Sequence, residues 1–208
     1  MSNTLRCVTT ALERAVAGER PRRVTPYDAL RAARRQWLAE QRIDMGALAT
    51  ELGISRATLY NWVGDRERLI AEVAWSLADV TIQQAKAQAR GTGAAYVAGA
   101  NARYLRALAD FEPLRRFIER DPEFALGVLA SKRTAFQQRI IDAQRDLIEE
   151  QMREAGYRPP LDASTLAYVV VRIAESFIFN PVITGGEPDL DKAIEASRVL
   201  LHAAPLKD

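Results

Sequence analysis

The stretch MGALATELGISRATLYNW, residues 45–62, decides how the rest of the chain is read. Two short helices packed across a tight turn accept few residue types where they cross. Ala49 supplies the small side chain at the crossing. Four positions later Gly53 supplies a residue free to take a positive φ at the turn. Asp44 and Ser55 stand where N-caps are needed, so helices are expected over 45–52 and from Ser55 to about 62, with Gly53 ending the first. Leu48, Leu52, Ile54, Leu59 and Trp62 provide apolar contacts that clamp the pair against a preceding helix. Ser55, Arg56, Ala57, Thr58, Tyr60 and Asn61 are left on or near the exposed N-terminal part of the second helix. In a helix-turn-helix this part enters a major groove.

The side chains left there suit nucleic-acid recognition. Arg56 can donate a bidentate pair to guanine, and Asn61 can address adenine or a phosphate. Thr58 and Tyr60 can bond phosphate oxygens while offering carbon to thymine methyls. An ordinary helical hairpin would instead use Tyr60 and Trp62 as core aromatics, and Trp62 suits a core role. Charge supports the first reading. Residues 1–70 hold 12 Arg and no Lys against 8 acids, whereas the remainder holds 17 basic and 19 acidic residues, within a net charge of +2. The excess is densest in Arg20, Arg22, Arg23, Arg31, Arg34, Arg35 and Arg42. Alone, such a run equally describes a solvated arginine-rich helix face; beside a recognition motif it describes a phosphate-binding head.

Outward from the motif, the pattern is helical throughout, with no sustained two-residue alternation. A weak amphipathic stretch, with Leu5, Val8, Leu12 and Val16 on one face, precedes a polar break over 18–23. Thr25 then caps a helix expected over 26–41 with Pro26 at its first position. Its apolar face uses Leu30, Ala33, Trp37 and Leu38. After Gly64 a long helix is expected from 65 or 66 to about 90, ended by Gly91-Thr92-Gly93. That turn has too few glycines, wrongly set, for a phosphate loop. Further helices are expected over 94–110, 113–120, 122–129, 132–155, from 162 or 164 to 180, and over 190–203. The expected fold is all-α.

The composition, 48% hydrophobic and 27% charged, suits a soluble domain with a sizeable core. No apolar run approaches the roughly 18–20 residues a bilayer span needs. Arg6, Glu13 and Arg14 interrupt any secretory-signal core, and the single cysteine, Cys7, fits a reducing compartment, so the cytoplasm is the expected location. With one histidine, His202, and one cysteine there is no His/Cys metal set and no Cys–His or Ser–His arrangement. No cofactor is implied, and an enzyme is not expected. A carboxylate-based hydrolase is left open by composition, but no carboxylate pair stands out. A helical adaptor that binds a partner protein through apolar grooves is the alternative from another class.

The run GISRATLYNWVGDRERLIAEV, residues 53–73, resembles the signature of the TetR family of transcriptional regulators. The likeness includes its Thr58-Leu59-Tyr60 core and the Glu67, Leu69 and Ile70 pattern. The resemblance implies an N-terminal three-helix helix-turn-helix DNA-binding domain joined by a long helix to a C-terminal helical effector-binding and dimerisation bundle. The implied divisions are an extension over 1–24, a DNA-binding domain over 25–68, and an effector and dimerisation domain over 69–208. The implied partners are a double-stranded, near-palindromic DNA operator, a small-molecule effector and a second copy of the chain, with no membrane. Thr58, Tyr60 and Trp62 fall on recognition-helix positions, and Arg66 falls where a basic residue often holds a phosphate. Arg22, Arg23, Thr25, Asp44 and Met45 complete the expected DNA surface. Trp62, Val63 and Gly64 depart from residues common in the family. The extra N-terminal stretch and the WVGDRERL wording are similar to regulators of quorum-signal (lactone) degradation, the QsdR-like group, which implies a repressor released by a largely apolar, lactone-type ligand.

In the second domain, residues 162–180 are apolar nearly all round: Leu166, Tyr168, Val169, Val170, Val171, Ile173, Phe177, Ile178 and Phe179. The final helix adds Leu190, Ile194, Ser197, Val199, Leu200 and Leu201, which suits both core and subunit contact. Candidates to line an effector pocket are Trp75, Tyr96, Asn101, Tyr104, Phe117, Phe124, Phe136, Tyr168, Arg172 and Glu175, each of which core packing or surface exposure explains as well. Arg172 and Glu175 line a polar pocket, cross a dimer interface, or form an intrahelical ion pair.

Overall fold

Polar caps set the helix starts. Thr25 donates both its backbone N–H and its hydroxyl to Asp28 Oδ2, at 2.8 and 2.7 Å, and so opens α1, Pro26–Leu38. Asp44 Oδ1 accepts from Ala47 N at 2.7 Å to open α2, Met45–Leu52. Ser55 Oγ accepts from Thr58 N at 3.0 Å to open α3, Arg56–Val63, and Asp65 Oδ1 accepts from Arg68 N to open α4, Arg66–Gln88. The computed structural model describes residues 24–202. The amphipathic stretch of Leu5, Val8, Leu12 and Val16, and the DNA candidates Arg22 and Arg23, lie outside the described residues.

Seven helices follow: α5 Ala94–Ala109, α6 Glu112–Arg120, α7 Pro122–Leu129, α8 Phe136–Ala155, α9 Ala163–Ile178, the short α10 Asn180–Ile183, and α11 Leu190–Leu200. Among the described residues there is no strand, as expected. Helices α1–α3 form a head. The body is built by α5, α8, α9 and α11, with α6 and α7 between the two. The first turns of α4 bury Leu69, Ile70 and Val73 in the head core with Ala29, Ala33, Leu48 and Leu59, and this cluster continues into Ala125, Val128 and Phe179. A second cluster unites Val97, Ile148, Leu166 and Val170, and a third joins Leu105 and Ala174 to Ile194.

Several helix ends differ from the sequence expectation, each for a local reason. The expected 26–41 helix stops at Leu38, because Glu40 takes a left-handed φ of 56°, and Arg120 Nη2 donates to its carbonyl at 2.7 Å. The long fourth helix ends at Gln88, not 90, where Ala89 turns extended. The expected 132 start moves to Phe136: the Ser131 and Thr134 hydroxyls bond the carbonyls of Gly127 and Val128, which holds the chain in turns. The apolar helix expected to reach 180 ends at Ile178, and Pro181 enters the separate α10. The last helix stops at Leu200, with His202 left-handed at φ 53°. The Gly91–Gly93 segment is the expected turn, secured where Gly93 N donates to Gln151 Oε1 at 2.8 Å.

Gly53, the residue that ends α2, is left-handed at φ 66°, and an added Cβ there meets nothing within 4 Å. The cost of a side chain is therefore backbone strain alone. Gly53→Ala is expected to lower stability by about 1–2 kcal/mol, read from urea unfolding, with no loss of helix content in circular dichroism.

Candidate nucleic-acid interface and effector cavity

The helix-turn-helix is closed from within. Ala49 is buried at the crossing, and Gly53 and Ile54 return their N–H groups to Thr50 and Ala49 at 3.1 and 3.0 Å. Leu59 is fully buried beneath α3. The opposite face carries Arg56, Ala57, Tyr60 and Asn61, all exposed, with Tyr60 46% accessible, beside the exposed Ser55. Thr58 is half-buried and its hydroxyl pairs with Ser55 Oγ at 2.9 Å, so it serves the cap. The Arg56 guanidinium lies across Gly46, where a Cβ would collide with it. The Ala47 N–H holds the Asp44 carboxyl below the usual carboxylate range, and the Arg56 and Arg42 charges add to this.

Four DNA candidates are placed differently. Met45 is buried, so it cannot offer its side chain to a ligand outside. Trp62 is half-buried and shares a groove with Tyr27, Leu30 and Arg68, between α3, α1 and α4, away from the exposed face. Arg66 turns inward: its Nε donates to the Ile43 carbonyl at 2.9 Å, and its guanidinium lies 4.6 Å from the centre of the Phe124 ring. Burial, and then the Arg42 charge, lower its pKa. The side chain is committed to joining head to body. Thr25 is likewise occupied, as a cap.

The joint is continued by aromatic packing. Trp37 of α1 meets Phe117 of α6 with ring centres 4.4 Å apart, and Phe117 meets Phe124 edge-on at 6.1 Å. Arg133 pairs with Glu67 across the same boundary, and Arg116 reaches Glu40 at 3.9 Å.

Above the joint lies a mostly apolar cavity of about 200 Å³ between α4, α5, α8 and α9. Of the expected pocket residues, Asn101, Tyr104, Phe136 and Glu175 line it. The other six do not. Phe117 and Phe124 belong to the joint. Trp75 lies under Arg139, 5.6 Å away, and Tyr96 donates its hydroxyl to the Lys86 carbonyl at 2.9 Å. Tyr168 is 53% exposed on the outer face of α9, with Arg172 also exposed. Arg172 does pair with Glu175 at 2.5 Å, and Gln137 donates to the same carboxylate at 3.0 Å, yet burial dominates and raises the Glu175 pKa. Burial also raises the Tyr104 pKa, and its hydroxyl makes no hydrogen bond among the described residues. Two buried donors in the lining, Trp37 Nε1 and Gln144 Nε2, have no partner. An unmet buried donor costs about 1–3 kcal/mol.

The model of the tetracyclin repressor-like C-terminal domain matches residues 92–202, more than half of the chain. The chain belongs to the TetR family. Among solved structures it is similar to the transcriptional repressor QsdR of R. erythropolis, at 24% identity and a TM-score of 0.79, over 88% of this chain and 97% of that one. It is also similar to the TetR family repressor AlkX of Dietzia sp. strain DQ12-45-1b, implicated in biodegradation of n-alkanes, at 19% identity and a TM-score of 0.56, over 88% and 96%. Among curated proteins no sequence relative is found. The all-helical architecture, with an N-terminal helix-turn-helix and a helical body, is the TetR fold. No helix of the described residues is long and apolar enough to cross a membrane, and none of their His, Cys, Asp and Glu side chains form a group that could hold a metal ion.

Sequence reading missed Trp37 and Gln144 as cavity residues of this TetR regulator. Trp37 sits on the same apolar face of α1 as Ala29 and Ala33, and periodicity cannot separate a core position from one at a cavity floor. The inward Arg66 yields a direct test. Arg66→Ala is expected to cost about 1.5–3 kcal/mol, because a charged donor leaves the Ile43 carbonyl. The slope of DNA affinity against salt should remain as in the parent protein. Urea unfolding and binding at several salt concentrations read the two effects separately.

Proposed function

We propose that this TetR-family chain is a homodimeric repressor. It reads a near-palindromic operator with α3, and a small, largely apolar ligand in the central cavity releases it. The observation that carries the reading is the exposed polar face of α3, Arg56, Tyr60 and Asn61, held rigid by the Ser55 cap and the buried Leu59. Each chain offers one recognition helix, which reads few bases, so two half-sites about one helical turn apart, or a multiple, are needed for specificity. The outer faces of α9 and α11 carry Tyr168 and Val199, the latter 57% exposed, as an apolar patch suited to a second copy. With their likeness in fold to QsdR in view, lactones with an apolar tail are the first ligands to try, and the QsdR-like group is the proposed subgroup. An adaptor role has no such polar face to explain it; DNA affinity that falls steeply with salt separates the two.

Arg56→Ala should cost about 1–3 kcal/mol per half-site and relax preference at one operator position. Selection of bound sequences from random DNA measures this, and uniform weakening with unchanged preference would contradict a base contact. Tyr168→Asp combined with Val199→Glu should convert the dimer to monomer in analytical ultracentrifugation at micromolar concentration and abolish tight operator binding. A saturating effector that lowers operator affinity a hundredfold requires about 2.7 kcal/mol of coupling, and operator must weaken effector binding by the same factor.

A further inference from the structure

We infer that the effector is gripped directly by the DNA-reading head: the Trp37 indole N–H donates to a carbonyl-type oxygen of a ligand in the central cavity. The inference rests on the ligand-responsive reading above and adds the ligand's chemical class and the contact that transmits its binding. Trp37 occupies the last turn of α1, is only 5% exposed, and packs on Phe117. It also lines the cavity, together with Ala74 from the first half of α4 and with Phe111 and Leu114. Its Nε1 is a donor only, and it has no partner among the described residues. The cavity's second unpartnered buried group, Gln144 Nε2, is also a donor. The one carboxylate in the lining, Glu175, is already engaged by Arg172 and Gln137. The two buried donors demand acceptors, and the Tyr104 hydroxyl in the same lining can also donate to one. In an otherwise mostly apolar space, this selects a mostly hydrocarbon molecule bearing a lactone, ester, amide or ketone oxygen. It disfavours ammonium ligands and plain alkanes.

The two donors act differently. Gln144 lies on α8 in the body, and a bond to it is the same wherever the head stands. Trp37 lies on the head, wedged against α6, so a bond to it holds only for some positions of α1. A ligand shifts an equilibrium only through contacts that differ between the two states. Trp37 is thus the coupling contact and Gln144 an affinity contact.

The full chain, labelled with 15N at tryptophan, is titrated with N-octanoyl homoserine lactone, γ-decalactone and, as a carbonyl-free control, decane. The three indole resonances, from Trp37, Trp62 and Trp75, are assigned with single Trp→Phe variants; Trp62→Phe and Trp75→Phe suffice if Trp37→Phe fails to fold. A lactone is expected to move the Trp37 indole proton downfield and to bind more tightly than decane. Trp37→Phe should weaken lactone binding about tenfold, the loss of one such bond. At saturating lactone it should also shrink the drop in operator affinity, whereas Gln144→Leu should weaken binding but keep that drop. A lactone that binds and releases operator while the Trp37 resonance stays still overturns the Trp37 contact and leaves the effector reading standing. Decane binding as tightly as the lactones overturns the carbonyl requirement. Failure of both lactones to bind removes the inference and the lactone-type effector together.

Discussion

Helix α4 is shared between the head core and the cavity of the body, and the rest of the molecule is arranged around that constraint. Its 23 residues make a rod about 34 Å long. Leu69, Ile70 and Val73 are sealed in the head, while Leu77, Ala78 and Ile82 form a wall of the cavity. A continuous helix sealed at interior density in the head cannot be pushed aside at its cavity-lining half without repacking the sealed half. The same continuity runs through the cluster that joins Leu48 and Leu59 of the head to Val128 and Phe179 of the body.

The joint itself is mainly aromatic and directional. Exposed pairs such as Arg116 with Glu40 contribute little, because water and salt screen them. The half-buried Arg66, which bonds the Ile43 carbonyl and covers Phe124, is better placed to define geometry, since both its partners are fixed in packed segments. The aromatic series Trp37, Phe117 and Phe124, tilted at the first contact and edge-on at the second, gives the head a seat against α6 and α7. Because Trp37 belongs both to this seat and to the cavity lining, cavity contents and head position share one side chain.

On the outer face of the head, local bonding sorts the polar residues. Ser55, Thr58, Asp44 and Thr25 spend hydrogen bonds on helix starts, which leaves Arg56, Tyr60 and Asn61 as the side chains with free reach. Capping and uncommitted polar side chains are neighbours in sequence, and the distinction lies in whether a backbone N–H is within reach of each.

The all-α fold, the helix-turn-helix with its small residue and left-handed glycine, and the order of the helices were legible in the sequence, because caps, turns and 3.6-residue periodicity are local. Helix ends were less legible at Glu40, Ser131–Thr134 and Phe179, where side chains or contacts from elsewhere, such as Arg120 on the Glu40 carbonyl, decide the backbone. The pocket was half legible. Asn101, Tyr104, Phe136 and Glu175 line it, but Tyr168 and Arg172 face outward and Tyr96, Trp75, Phe117 and Phe124 are used elsewhere. Arg66 reads as a phosphate ligand and Trp37 as plain core when only neighbours in sequence are considered. Sequence alone determined which segments are helical and which polar side chains the helix-turn-helix carries. Tertiary structure decided which side chains are free and where helices stop, because Arg66 bonds the Ile43 carbonyl 23 residues away and Arg120 bonds the Glu40 carbonyl 80 residues away, distances no local pattern records.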